Sequence, residues 1–112
     1  MLKQKEQKAL ITDFKKAVSK LYGDRLAKII LYGSYARGDF HEESDIDFLV
    51  VLDDEEISPF REIDRMNDAV FGLTLKYNTL ISFQPTTKYK FEHSKMPVYH
   101  FIKKEGKEIW KK

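Results

Sequence analysis

Two aspartates, Asp45 and Asp47, stand at the mouth of an apolar run, SDIDFLVVL, spanning residues 44–52. In extended backbone, residues i and i+2 point to one face, with Cα atoms roughly 6.5–7 Å apart. The pair therefore reads as side-by-side carboxylates, which repel unless a cation or a proton lies between them. Such a pair suits two divalent ions about 3.5–4 Å apart that grip a phosphate during group transfer. Magnesium is the natural ion, because it prefers oxygen ligands and is commonly shared between carboxylates and substrate phosphates. A plainer role is also open: one aspartate could cap a turn at the strand entrance. Asp45 would do so readily. Asp47 fits that role poorly, because Ile46 and Phe48 flank it, and an uncompensated charge in an apolar strand is costly.

About ten residues upstream lies GSYARG, residues 33–38. Gly33 allows a sharp turn and a close backbone approach to a ligand. Ser34 offers a hydroxyl, and amides that follow can face a phosphate if a helix starts there. Arg37 can reach a phosphate or lie in solvent, and Gly38 ends the turn. Alone, a Gly-Ser turn is commonplace. A strand, this turn, and then an acidic pair leading a second strand form the informative combination, since a hairpin-like return brings cradle and carboxylates together. His41 lies in the polar loop between them beside Glu42 and Glu43, exposed or facing substrate. His93 and His100 lack metal-ligand spacing, and Trp110, Tyr99 and Phe101 read as packing residues.

The elements that must hold these groups are legible from periodicity. Leu10, Phe14, Ala17, Val18 and Leu21 recur at helical spacing within residues 4–21. AKIILYG (residues 27–33) fits a strand. The apolar run after Asp45 fits a central strand covered on both faces. Ser58 and Pro59 predict a hydroxyl-capped helix start, with Phe60, Ile63, Met66, Val70 and Leu73 as its apolar face. NTLISFQP (residues 78–85) is a third strand, and TTKYKFEHS a short helical turn. Pro97 opens a last helix carrying Val98, Phe101 and Ile102, closed by Gly106 as a left-handed cap. KEIW adds an edge strand. This order predicts one α+β domain over residues 1–112, a mixed β-sheet packed with helices.

Bulk properties narrow the function. At 112 residues, with 42% hydrophobic content, the chain can bury a real core. A net charge of +2 from 20 basic and 18 acidic residues is too balanced for wholesale nucleic-acid binding. Zero cysteines exclude disulfides, thiolate zinc and cysteine nucleophiles. The N-terminal MLKQKEQKAL lacks a signal-peptide core, and no apolar run approaches the ~20 residues of a membrane span. A cytoplasmic, soluble protein is expected.

The two motifs together, GSYARG and SDIDFLVV, resemble the signature of the nucleotidyltransferase superfamily that includes DNA polymerase beta, in particular its minimal single-domain members. The resemblance runs from the first helix through FIKKEGKEIW. It implies a nucleotidyltransferase-like fold, two magnesium ions and a nucleoside triphosphate donor such as ATP. Carried onto this chain, Gly33 and Ser34 would bind triphosphate, with Arg37 as a further candidate, and Asp45 and Asp47 would ligate metal and serve catalysis. Many minimal members act as antitoxins beside a HEPN-domain protein, some by transferring nucleotide to it. One departure stands out. The family usually brings a third carboxylate from a later strand, whereas NTLISFQP contains no Asp or Glu. Ser82 or Asn78 would stand near that place, and Glu92 reads as a surface residue. One magnesium ion rather than two is then an option.

Three readings follow. The first is a metal-dependent enzyme that transfers a nucleoside monophosphate to a protein, another copy of the chain or a small molecule. The second is a degenerate fold that complexes a HEPN-type partner without turnover. The third is an unrelated α+β domain with capped turns.

Overall fold

A computed structural model describes residues 2–39 and 45–112. The predicted start of the second strand at Ser44, and the role suggested for His41, lie outside the described residues. The chain runs α1 (Gln4–Tyr22), a 3-10 turn (Gly23–Arg25), β1 (Leu26–Tyr32), α2 (Ser34–Arg37), β2 (Ile46–Leu52), α3 (Pro59–Tyr77), β3 (Ile81–Thr87), α4 (Lys88–His93), α5 (Pro97–Glu105) and β4 (Lys107–Lys111). The strands form one sheet in the order β3-β2-β1-β4. β1 is antiparallel to both β2 and β4, and β2 is parallel to β3. This is the expected α+β architecture with a mixed sheet. Among the described residues, no helix is long and apolar enough to cross a membrane.

Alternation along the central strands divides the core in two. Ile46, Phe48, Val50 and Leu52 face one side of the sheet and meet Leu10, Phe14 and Val18 of α1 and Met66 and Val70 of α3. Leu49 and Val51 face the other side and meet Phe91, Tyr99 and Ile102 of α4 and α5. β2 is therefore apolar on both faces because both are covered, as its composition predicts. Phe14 stacks on Phe48 with ring centroids 3.9 Å apart, which fixes α1 over the middle of β2. Asp47 alternates with the first set, so it projects on the side of α4 and α5.

Several boundaries differ from the sequence expectation, each for a physical reason. β3 continues through Pro85 to Thr87. The Ile46 N–H donates to the Leu80 carbonyl at 3.1 Å, so peptide groups at even positions of β3 face β2. Pro85 faces the open edge, where its missing N–H costs no ladder bond. Ser58 does stand at the start of α3, but its hydroxyl makes no capping bond; Pro59 sets that turn instead. Phe60, expected on the apolar face, is 83% exposed, and Phe101 is 55% exposed. Gly106 closes α5 with φ −71°, ordinary extended backbone, so it is not a left-handed cap.

The end of β2 away from Asp47 is tied by a polar cluster. Glu62 of α3 is buried and accepts from Tyr22 Oη at 3.1 Å and from Arg25 Nη2 at 3.0 Å. Arg25 also pairs with Asp54 at 3.0 Å. Burial and the nearby Glu62 carboxylate push the Tyr22 phenol well above its usual range. Removing one partner from a buried pair strands the others. Glu62→Ala should therefore lower unfolding free energy by about 2–4 kcal/mol, whereas the partly exposed Asp54→Ala should cost under about 1 kcal/mol. Urea denaturation of both variants checks the contrast, and equal losses would contradict it.

Candidate functional site

The candidate site lies where β1 ends, β2 begins and β3 begins. β1 reaches Tyr32 and the backbone then turns at Gly33, which has φ 74° and ψ −156°. A side chain at this φ is strained. Space gives a second requirement. A Cβ on Gly33 would meet the Asp47 carboxylate, overlapping Oδ2 and lying 3.3 Å from Cγ. Gly33 therefore presses its backbone directly against Asp47. Ser34 begins the single turn of α2, which closes on itself. Ala36 and Arg37 N–H groups donate to the Gly33 carbonyl, and Gly38 N–H donates to the Ser34 carbonyl at 2.8 Å. Gly38, with φ 84°, ends the turn as the sequence predicts.

Register does the rest. Asp47 pairs with Tyr32 on β1 and with Ser82 on β3, so three strands deliver side chains to one spot on one face. Ser82 stands beside the Asp47 carboxylate in the strand register, and its hydroxyl favours the charged form. Desolvation first, and then repulsion from Asp45, push the Asp47 carboxyl above the usual carboxylate range, partly opposed by Ser82 and by the Arg37 charge. Asp45 itself is exposed just before β2. Tyr32 is raised as well, chiefly by burial and then by Asp47.

The candidates named from sequence thus converge: Gly33, Ser34, Asp45 and Asp47 share one corner. Arg37 stands nearby with its guanidinium engaged, in contact with Asp39 at 3.1 Å and Glu105 of α5 at 3.4 Å. It bridges α2 to α5 in this conformation. Of the two residues named from sequence near the place of the missing acid, Ser82 is the one set opposite Asp47. Tyr32 is the residue that motif reading missed, and the strand register reveals it. Glu92 is exposed on α4, as expected.

The acid pair has the chemistry of a cation site: two hard oxygen donors, one half-buried and repelled by the other. Among the described residues, no group of three His, Cys, Asp or Glu side chains has the arrangement of a metal cluster. The residue that β3 brings beside Asp47 is a serine.

A mixed α+β sheet with a glycine turn pressed against Asp47 is consistent with a nucleotidyltransferase-like architecture. Comparison with known proteins agrees. The family model described as "Nucleotidyltransferase domain" matches residues 11–109, and the chain belongs to that family. It is 39% identical over 85 residues to MJ0141 of Methanocaldococcus jannaschii, a candidate protein adenylyltransferase, covering 73% of this chain and 84% of that protein. It is 38% identical over 76 residues to the protein adenylyltransferase MntA of Thermococcus cleftensis, covering 65% of this chain and 73% of that one. Its fold resembles a chain of a toxin–antitoxin structure with AMP-PNP, with a TM-score of 0.65 and 19% identity over 91% of this chain and 73% of that chain. It also resembles a candidate nucleotidyltransferase from Sulfolobus solfataricus, with a TM-score of 0.59 and 19% identity over 96% of this chain and 86% of that chain.

The raised Asp47 carboxyl makes a signed prediction. The folded chain holds this proton more tightly than the unfolded chain, so the group's contribution to stability improves as pH falls from above its folded value to the ordinary carboxylate value. In chelator, the urea midpoint of wild type should therefore gain on that of Asp47→Asn between about pH 7 and about pH 4. A constant difference between the two would show that Asp47 titrates normally. Gly33→Ala should cost about 1–2 kcal/mol from its positive φ alone, and more if the Asp47 carboxylate cannot move aside. The same denaturation series measures it.

Proposed function

We propose that the protein is an adenylyltransferase, moving AMP from ATP to a hydroxyl on a protein acceptor. The observation that carries this reading is the contact between Gly33 and Asp47, because it brings the backbone turn directly against one of the two paired acids. Support for adenylyl transfer to protein comes from the relatives named above as protein adenylyltransferases. A HEPN-type toxin is the partner this reading favours, in line with the toxin–antitoxin structures that share the fold.

In this reading Gly33 and Ser34 receive the triphosphate, the glycine through close backbone approach and the serine through its hydroxyl. Asp45 and Asp47 would hold magnesium, which when bound neutralises the triphosphate and the charge that develops at the α-phosphoryl group. Two ions are the pattern of the wider fold; with Ser82 in place of a third carboxylate, one ion suits these residues best. Ser82, beside Asp47 in the register, favours the charged form of that carboxylate. Arg37 is released from Asp39 and Glu105 to meet the phosphates. The acceptor oxygen bonds to the α-phosphorus, the bond to the bridging oxygen breaks and pyrophosphate leaves. The hydroxyl proton passes to solvent or to the acceptor, since β3 supplies no carboxylate base.

One observation favours a second reading, a fold that binds its partner without turnover: Ser82 stands beside Asp47 where an acid would complete the site. A single experiment separates the two. The protein is incubated with α-labelled ATP, magnesium and a HEPN-domain protein encoded beside it. Labelled partner is expected, with transfer reduced at least about a hundredfold in Asp47→Asn while the circular dichroism spectrum is unchanged. A stable complex without label would support the binding module instead.

A further inference from the structure

The sheet has an open edge that leads straight to the acid pair. β3 is an edge strand, and among the described residues no strand pairs with its outer side. The peptide groups of Leu80, Ser82 and Gln84 face β2, so those of Ile81 and Phe83 face outward by alternation. This opening is short. Pro85 has no N–H to offer, and Pro85, Thr86 and Thr87 are buried, whereas residues 81–83 are half-buried and Gln84 is exposed. Beside the opening lies a groove of about 320 Å³ between α3 and β3, walled by Val70, Phe71, Ile81 and Phe83. Phe71 of its lining is 65% exposed, and Leu75 on α3 and Leu80 just before β3 are each 66% exposed. Asp68 is the charged residue of the lining.

We propose that this edge receives the acceptor protein as an added β-strand that presents its hydroxyl to the nucleotide. The proposal rests on the adenylyltransferase reading above and names how the acceptor is held. Main-chain bonds to Ile81 and Phe83 give the added strand its affinity, and alternation gives it two faces. Side chains on one face drop into the apolar groove against Phe71. Side chains on the other face stand next to Ser82. One strand spacing is about 4.8 Å, so this second face lies about 9.5 Å from the backbone of Asp47. A hydroxyl-bearing side chain and the α-phosphate span that gap from opposite sides. The acceptor oxygen then bonds to phosphorus, pyrophosphate leaves with its bonding pair and the proton goes to solvent. The occupant is thus an extended segment with an apolar anchor next in sequence to the modified hydroxyl. Asp68 at the groove favours a basic residue close by.

The probe is a synthetic eight-residue peptide with valine alternating with threonine or tyrosine between terminal lysines. Two further peptides carry N-methyl groups on one or the other alternate set of amides. Binding is measured by fluorescence anisotropy, and hydrogen exchange is followed on the intact protein. The expected result is slowed exchange at Ile81 and Phe83, loss of binding for one methylated peptide and retention for the other. Phe71→Asp should weaken peptide binding at least tenfold while leaving Mg·ATP affinity unchanged. With Mg·ATP present, mass spectrometry should find AMP on a hydroxyl of the bound peptide. Equal binding of both methylated peptides, wild-type affinity in Phe71→Asp, or a bound peptide left unmodified by protein that binds Mg·ATP would overturn the proposal. Self-association abolished by Phe71→Asp, with no peptide binding, would assign the edge to a second copy and also overturn it. Failure of wild type to bind Mg·ATP would instead overturn the adenylyltransferase reading itself.

Discussion

The rest of the molecule is organised around one unfavourable contact, a carboxylate held half out of water beside another carboxylate. Asp47 could relax if it stood on a loop. It stands instead on β2, with apolar neighbours on both sides in sequence and strands on both sides in space. Gly33 backs against it so closely that no other residue fits without displacement. A fold that only needed a turn at this point would not seat a charge there. The cost is sensible if a cation and a phosphate supply the missing attraction, because both would enter a place already shaped and already repulsive.

Holding that contact requires that β2 not shift along its neighbours. A slip of one residue would turn Asp47 into the α1–α3 core and bring Phe48 to the site. Two features oppose it. The stacked pair of Phe14 and Phe48 pins the strand to α1 near its middle. At the far end, Arg25 joins Asp54, just beyond β2, to Glu62 on α3. Asp13 on α1 also joins the two helices by accepting from Tyr77 Oη at 2.6 Å near the end of α3. These contacts tie the helices on one face to each other and to the sheet, while Asp47 projects on the other face.

Much of this was legible in the chain because short-range rules governed it. The central strand, the Gly-Ser turn and the acidic pair each announce themselves by local pattern. What was not legible depended on neighbours. Pro85 reads as a strand terminus until β3 is known to be an edge strand with that residue facing outward. Phe60 and Phe101 sit at helical positions that match the buried faces, yet both stay largely exposed, and periodicity cannot count the partners available. Arg37 reads as a phosphate ligand from its motif; its contact with Glu105 joins residues 68 positions apart, which no local pattern encodes. Ser82 shows the same limit at the site itself. The sequence left Ser82 and Asn78 both open near the missing acid, and the register opposite Asp47 selects Ser82.

That register also bears on what a serine does where an acid would complete a metal shell. A third carboxylate would add a ligand and a base, but it would also add a third negative charge to a corner where Asp47 is already raised by Asp45. Ser82 takes the other option. It places a neutral hydroxyl beside Asp47, which favours the charged carboxylate and partly offsets the repulsion. The corner is then easier to fold without metal and weaker at holding it, so occupancy should depend on the triphosphate arriving with its ion. Because the serine lies on the edge strand, the space that an acid would have filled adjoins the open side of the sheet. In the adenylyltransferase reading proposed above, such a site would do without a fixed internal base and leave the neighbouring position to whatever the edge admits.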